Sequence, residues 1–356
     1  MHYSNNQETL SAFDAITEAQ KIAFAPVVFQ AALCLRDYGI LAFLDSKNKE
    51  GATLDEVIAH VSLNDYAVEL LLDVGLSGQL ITKKEQRFHL GKIGNFILND
   101  RMTRINMDFI QDVCYQGLFR LKESLGENKP LGLKIFGDWQ TIYPALSQLP
   151  EKARKSWFAF DHFYSHRAFG DALPHVFSYS PKLIYDVGGN TGKWALRCCD
   201  HDPDVNVTIL DLPEQIELAR ENIACHGMET RISGYPVDML SDTLLPSDAD
   251  IWWMSQFLDC FSKEQIIFVL SKIKHALKPG ARVCILEPLT DRQPFEAGTF
   301  SLNAGSLYFT CMASGNSRFY KSDALLGCIE KAGLKPESQI DGLGIAHSLI
   351  ICGSST

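Results

Sequence analysis

No stretch of this 356-residue chain strings together the ~20 apolar residues that a membrane-crossing helix requires, so no spanning segment is expected. Its opening, Met1 to Thr9, is polar and has neither a basic patch nor an apolar core, which predicts no secretory signal. The ten cysteines are scattered, with Cys198 and Cys199 adjacent and no C-x-x-C pair. That pattern is expected of free thiols in a cytoplasmic protein and predicts no metal site. Basic residues are outnumbered, 33 Lys and Arg against 43 Asp and Glu, and the net charge of -10 argues against a nucleic-acid or anionic-membrane partner. There is no internal repeat and no low-complexity tract. What the chain does have is 46% hydrophobic and 21% charged residues, the proportions of a globular protein long enough for two domains and a large core.

The most informative stretch is Leu183-Ile184-Tyr185-Asp186-Val187-Gly188-Gly189-Asn190-Thr191-Gly192, followed by an apolar run that ends at Asp211 in Val207-Thr208-Ile209-Leu210-Asp211-Leu212-Pro213. A buried strand runs into a glycine turn, and an acid closes the next strand about 20 residues on, as nucleotide-type cofactors require. A dinucleotide needs G-x-G-x-x-G so that a helix N-terminus meets its pyrophosphate. Here an acid ends the strand instead, which repels phosphate and suits a cationic amino-acid group. An ordinary strand-to-helix turn would account for the glycines alone. It would not account for Asp238 after Tyr235-Pro236-Val237, the strand Asp250-Ile251-Trp252-Trp253-Met254, and the turn Leu277-Lys278-Pro279-Gly280 before the strand Ala281 to Leu286, all in order.

This wording resembles the class I S-adenosylmethionine (SAM)-dependent methyltransferases, and D-V-G-G-x-T-G…L-D-L-P resembles their plant and bacterial small-molecule O-methyltransferase family of the caffeate and hydroxyindole type. The resemblance covers nearly the whole chain. It implies SAM as cofactor, S-adenosylhomocysteine (SAH) as product, and a cofactor site built from Asp186, Gly188, Gly189, Gly192, Asp211, Leu212, Asp238, Met239 and Ser255. Within it, Asp211 takes the ribose hydroxyls and Asp238 the adenine amino group. Asn190 stands where the family usually has glycine, a substitution that asparagine's tolerance of positive φ permits. The implied fold is a Rossmann-like seven-stranded α/β domain with its last strand antiparallel, over 181–356.

Ahead of it the chain reads as helices. Leu10, Phe13, Ile16 and Ala19 share one helical face, Pro26 opens a second helix that Gly39 closes, Thr53 to Glu56 is a capping box, and Asp65 to Ser77 carries Val68, Leu71, Leu72 and Leu76 inward. Gln79 to Thr82 and Arg87 to Leu90 then predict a hairpin. Helices followed by a hairpin make a winged helix, assigned to 1–105. A DNA-reading winged helix that senses SAM is the alternative from another class, but its recognition helix would present Asp65, Glu69 and Asp73 to phosphates, leaving only Lys83, Lys84, Arg87 and Lys92 in favour. The resemblance implies dimerisation instead, and Phe13, Ile16, Phe24, Val28 and Leu35 are expected to seal a homodimer. Residues 106–180 are expected to connect the domains and line a substrate pocket, with one amphipathic helix over Asn106 to Leu125.

Methyl transfer from a sulfonium needs a positioned nucleophile and, for a phenol of pKa ~10, removal of its proton. The family uses a histidine in L-H-D-W, held by two acids. Here the run is Phe257-Leu258-Asp259-Cys260-Phe261, so Asp259 stands at the histidine's place. Glu287 in Leu286-Glu287-Pro288 matches the fifth-strand acid, while Ser317-Arg318 replaces the second. Asp259 and Glu287 are therefore the candidate catalytic residues, with Asp259 a base or a hydrogen-bond anchor. Phe160, His162, Phe163, Gln256 and Asn303 are candidate substrate residues, His162 and His166 candidate relocated bases, and one of Trp252 and Trp253 is expected to flank adenine. The expected enzyme methylates a small hydroxylated aromatic molecule on oxygen. The runs Ser255 to Phe261 and Phe160 to Ser165 also resemble methyltransferases of bacterial aryl-polyene pigment pathways, which implies a ring carbon as the alternative acceptor.

Overall fold

The computed structural model describes residues 10–354, so the polar opening Met1 to Thr9 lies outside the described residues. The chain divides into two compact units between Asp108 and Phe109, which groups 109–180 with the sheet that follows.

The first unit contains α1 (Ala12–Ala23), α2 (Ala25–Asp37), α3 (Ile40–Ser46), α4 (Leu54–His60), α5 (Asp65–Ser77), the hairpin β1 (Ile81–Lys84) and β2 (Arg87–Leu90), and α6 (Lys92–Asn99); α7 (Arg101–Phe109) runs to the division. Local chemistry sets these helix starts. Ser11 caps α1, Thr53 and Glu56 cap α4 reciprocally, and Asn64 caps α5, each cap contributing about 1 kcal/mol. The hairpin starts later than the alternation predicts, because Gln79 (φ 59°) bends the chain and Glu85 and Gln86 (φ 49° and 61°) close a tight left-handed turn. Leu35, Ile40, Leu41, Leu44, Val57, Val68 and Leu72 form the core. Leu35 is thus fully buried within the unit and does not belong to an exposed sealing face, a correction to its expected role. Helix α1 buries no residue at all, leaving Phe13 at 84% and Ile22 at 77% exposed.

The second unit opens irregularly. Instead of one helix over Asn106 to Leu125, α7 gives way to a π-turn at Ile110–Cys114, a 3-10 turn at Gly117–Arg120 and α8 (Leu121–Glu127). The cause is tertiary: Gly117 is buried against Gly132 and Met312 with no room for a Cβ, and its carbonyl accepts from the Cys311 thiol at 3.2 Å. After α9 (Glu151–Phe177) come β3 (Leu183–Val187), α10 (Lys193–His201), β4 (Asn206–Asp211), α11 (Pro213–Cys225), β5 (Ile232–Pro236), β6 (Ile251–Ser255), α12 (Lys263–Ala276), β7 (Arg282–Glu287), α13 (Glu296–Tyr308), α14 (Ser322–Lys331), β8 (Leu334–Leu343) and β9 (His347–Ser354).

The seven strands lie in the order β5-β4-β3-β6-β7-β9-β8. Crossover connections, helical except for the loop between β5 and β6, make β3 to β7 parallel, whereas the short β8–β9 connection is a hairpin, so β9 runs antiparallel to both β7 and β8. Both sheet faces are covered, and adjacent residues go to opposite sides. Trp253 packs with Phe169 and Trp194 on the face covered by α9 and α10, and Trp252 with Tyr185 on the other. The order reverses at β3, between β4 and β6, which places a crevice at the carboxyl ends of these strands.

Candidate active site

The crevice is a cavity of about 430 Å³. The glycine turn forms its floor. Gly188 (φ 70°) lies so close to Phe257 that any Cβ would meet the ring. Asn190 adopts φ 51°, the left-handed conformation that asparagine accepts, and its backbone N–H donates to Asp211 Oδ2 at 2.8 Å. The Leu212 N–H donates to Asp211 Oδ1 at 2.8 Å, so both carboxyl oxygens are aimed by backbone groups. Asp186 is buried on the same side, and its carboxyl is pushed up to about 8 by burial and by the charge of Asp211. Burial likewise moves Asp211 to about 6.

Of the residues expected to hold the cofactor, Asp186, Gly188, Gly189, Asp211, Leu212, Asp238, Met239 and Ser255 all line the cavity. Gly192 does not; it closes the turn behind it, donating its N–H to the Gly189 carbonyl at 2.8 Å. Asp238 is exposed, its Oδ1 held by the Leu240 N–H at 2.8 Å. Asp186 Oδ2, Ser255 Oγ and the Trp194 and Trp253 indole N–H groups are buried without a partner among the described residues. Buried polar atoms are ordinarily satisfied, so these unpaired groups along one cavity fit a polar cofactor. Trp253 reaches the cavity stacked on Trp194 at 3.8 Å, and Trp252 lies in the core of the opposite face.

The other arm of the cavity follows β6. Asp259 sits in the loop before α12, which Ser262 and Gln265 cap, and it is 3% exposed. Its carboxyl is raised to about 7, chiefly by burial and further by the charge of Asp161, while the Cys260 thiol at 3.4 Å favours ionisation. Glu287 takes a different place from the one expected: it does not line the cavity. Its Oε1 accepts the Phe257 and Leu258 N–H groups at 3.0 and 2.8 Å, so it holds the loop that presents Asp259. The reason is direction, since the end of β7 points this side chain under the loop. Burial and the neighbouring Asp259 keep its pKa well above the usual range.

Two expected substrate residues fall outside. Phe163 is buried beside the cavity wall with the Arg167 guanidinium 4.7 Å over its ring, and Asn303 is exposed on α13, pointing off the cavity. A long helix turns each side chain about 100° from the next, so neighbours in a motif face different ways. Phe160, His162 and Gln256 do line the cavity. Gln256 is held at φ 47°, with its Oε1 3.2 Å from His347 Nε2. Burial and the charge of Lys193 hold His162 at about 3 and His166 at about 4, so neither gains a proton near neutrality.

The residues missed by sequence reasoning are Asp161, Tyr143, Lys193 and Tyr308. Asp161 lines the cavity, its Oδ2 3.4 Å from Asn190 Nδ2, and burial raises it to about 7. Tyr308 accepts the Trp157 indole N–H at 2.6 Å. Asp161 lay between the quoted Phe160 and His162; Tyr308 had no local signal.

Comparison with known proteins completes the description. Residues 17–88 match the Dimerisation2-like domain and residues 170–333 the O-methyltransferase domain. The chain is 25% identical to an L-tyrosine C(3)-methyltransferase of Streptomyces lavendulae over 93% of its own length and 90% of that protein. It is 26% identical to the acetylserotonin O-methyltransferase of Gallus gallus over 70% of this chain and 75% of that one. It is 35% identical to a 3-hydroxy-5-methyl-1-naphthoate 3-O-methyltransferase of Streptomyces sahachiroi over 34% and 36% of the two chains. Among solved structures, the SAM-dependent methyltransferase SibL superposes with a TM-score of 0.73 at 21% identity, covering 95% of this chain and 99% of that one. Human N-acetylserotonin methyltransferase in complex with SAM gives 0.67 at 19%, covering all of both chains.

Proposed function

Since the chain belongs to the class I SAM-dependent small-molecule methyltransferases and carries their O-methyltransferase domain, we propose that it methylates the phenolic hydroxyl of a small aromatic molecule, with Asp259 receiving the proton. The observation that carries this reading is a buried carboxyl raised to about 7 among aromatic rings in the cofactor cavity. An ordinary aspartate lies ~6 pKa units below a phenol; burial narrows the gap to ~3, within reach of a hydroxyl polarised at the moment of transfer.

When bound, SAM supplies a methyl group on a sulfonium, a carbon electrophile with a neutral thioether as leaving group. Asp211 and Asp238 would hold its adenosine portion, and the Gly188–Gly189 backbone, which lacks side chains on the cavity floor, would face the rest. Tyr143, Phe160, Tyr308 and Phe309 wall the acceptor. Asp259 would receive the acceptor's O–H proton as the methyl group is transferred to that oxygen. Glu287 acts as a positioning residue.

The named acceptors of the relatives support an aromatic substrate. The relative matching over 93% of the chain methylates a ring carbon, which favours C-methylation as the second reading. There, Asp259 would ionise the phenol to raise electron density on the ring. Incubation with methyl-labelled SAM and a phenol panel, followed by NMR location of the methyl group, separates the two. Absence of transfer to any phenol would remove both.

The Dimerisation2-like match supports a homodimer sealed by the exposed apolar face of α1, while the scattered free thiols and the net charge of -10 support a cytoplasmic enzyme with no nucleic-acid or membrane partner. Light scattering is expected to give twice the 39.8 kDa chain mass, and Phe13→Glu with Ile22→Glu to give monomer with helix content retained. A parent monomer, or tight duplex binding at physiological salt, would overturn this.

A further inference from the structure

The ionisable side chains around the cavity are predominantly acidic, with Asp161 and Asp259 held by burial at about 7 and Asp186 at about 8, so that these three are partly ionised near neutrality. Asp161, Asp186, Asp211, Asp238 and Asp259 line the cavity, and among the described residues Lys193 is the one cationic side chain that does. His162 and His166 add no charge near neutrality. An acceptor bearing a carboxylate therefore needs Lys193 or finds no counter-charge.

The sheet order assigns Lys193 elsewhere. Asp211 ends β4 and Asp238 follows β5, so an adenosine held by them lies over the β4–β5 side of the crevice. The amino-acid portion of the cofactor then runs over the glycine turn after β3. Lys193 is the first residue of α10, directly behind that turn. Next to it stand Trp194 and Trp253, which line the cavity and whose buried indole N–H groups lack an acceptor among the described residues. A cation and buried donors beside one turn suit the cofactor's own carboxylate.

The acceptor arm then carries no cation among the described residues: Asp161, Asp259 and Tyr308 line it beside the neutral side chains of Tyr143, Gln256 and Asn316. The Tyr308 oxygen already accepts from Trp157, so its hydroxyl proton is available to the acceptor oxygen, while Asp259 receives that oxygen's proton. Asp161 also lines the cavity, its charge felt by both Asp259 and Lys193.

We propose that the acceptor is a phenol carrying no carboxylate, either neutral or bearing a protonated amine that Asp161 receives, and that the cavity discriminates against aromatic acids. This inference rests on the phenol-methylation reading. It sets the chain apart from relatives whose named acceptors, tyrosine and a hydroxynaphthoate, are acids.

The test is calorimetric titration of SAH-saturated protein with two pairs that differ in a carboxylate: tyramine against L-tyrosine, and 4-ethylphenol against 4-hydroxyphenylacetate. The carboxylate-free member of each pair is expected to bind at least about tenfold tighter. Asp161→Asn should weaken tyramine more than it changes 4-ethylphenol. Lys193→Met should weaken SAH by about tenfold and leave 5′-methylthioadenosine, which lacks the amino-acid group, unchanged. Acids binding as tightly as their partners, or Lys193→Met abolishing acid binding while sparing SAH, would overturn the inference. Binding of SAH with none of the four phenols bound would overturn the phenol reading itself.

Discussion

Replacing Asp259 with asparagine will lower turnover by ~10² or more while leaving the affinity for SAM nearly unchanged. The change keeps the shape of a side chain that is 3% exposed and removes its ability to take a proton. In the parent, activity should rise with pH through about 7, because only the ionised carboxylate is a base and burial holds its pKa there. Below that value the residue is protonated and the rate falls. Asp161→Asn should move this limb to lower pH, since the Asp161 charge opposes ionisation of Asp259. In Asp259→Asn the limb should vanish together with the rate. Steady-state kinetics from pH 5 to 9 on a phenol that the parent methylates checks the parent and both variants. A flat parent profile with full activity in Asp259→Asn would leave catalysis to proximity alone.

Replacing Asp211 with alanine will weaken SAM binding by roughly 1 to 3 kcal/mol, the loss expected when hydrogen bonds to a charged group are removed from a buried site. Two consequences combine. The carboxylate facing the cavity disappears, and the Asn190 and Leu212 N–H groups lose their acceptor, which loosens a turn held at φ 51°. Asparagine offers no rescue: with both oxygens of Asp211 accepting from the backbone, an amide would set its NH₂ group against one of those N–H donors. Asp211→Asn should therefore bind SAM no better than Asp211→Ala by calorimetry. Unchanged binding in either variant would remove Asp211 from the cofactor site.

The parts of this site legible in the sequence are those whose geometry is decided within a few residues. A glycine turn needs its glycines wherever it occurs, a strand-ending acid is placed by the strand's own register, and the caps at Thr53 and Ser262 close on partners three residues away. Glu287 shows the limit. Its position at the end of β7 followed from the motif, but its work of holding the Phe257 and Leu258 N–H groups depends on a loop 30 residues back in the chain. Asn303 and Phe163 lay in the right segments and face the wrong way.

By itself, then, the sequence determined the cofactor turn, the acids Asp186, Asp211 and Asp238 around it, the alternation of strands and helices, and the placing of an aspartate at the base position. These are local matters, governed by backbone conformation and by short-range periodicity. Only the tertiary structure decided which of the α9 side chains enter the cavity, that the chain turns 3-10 where Gly117 packs against Met312, that Lys193 stands as the one cation lining the cavity among the described residues, and that Tyr308 meets Trp157. Each of these depends on which surfaces meet when distant segments pack, and burial, which raises Asp259 toward neutrality, exists only after they have.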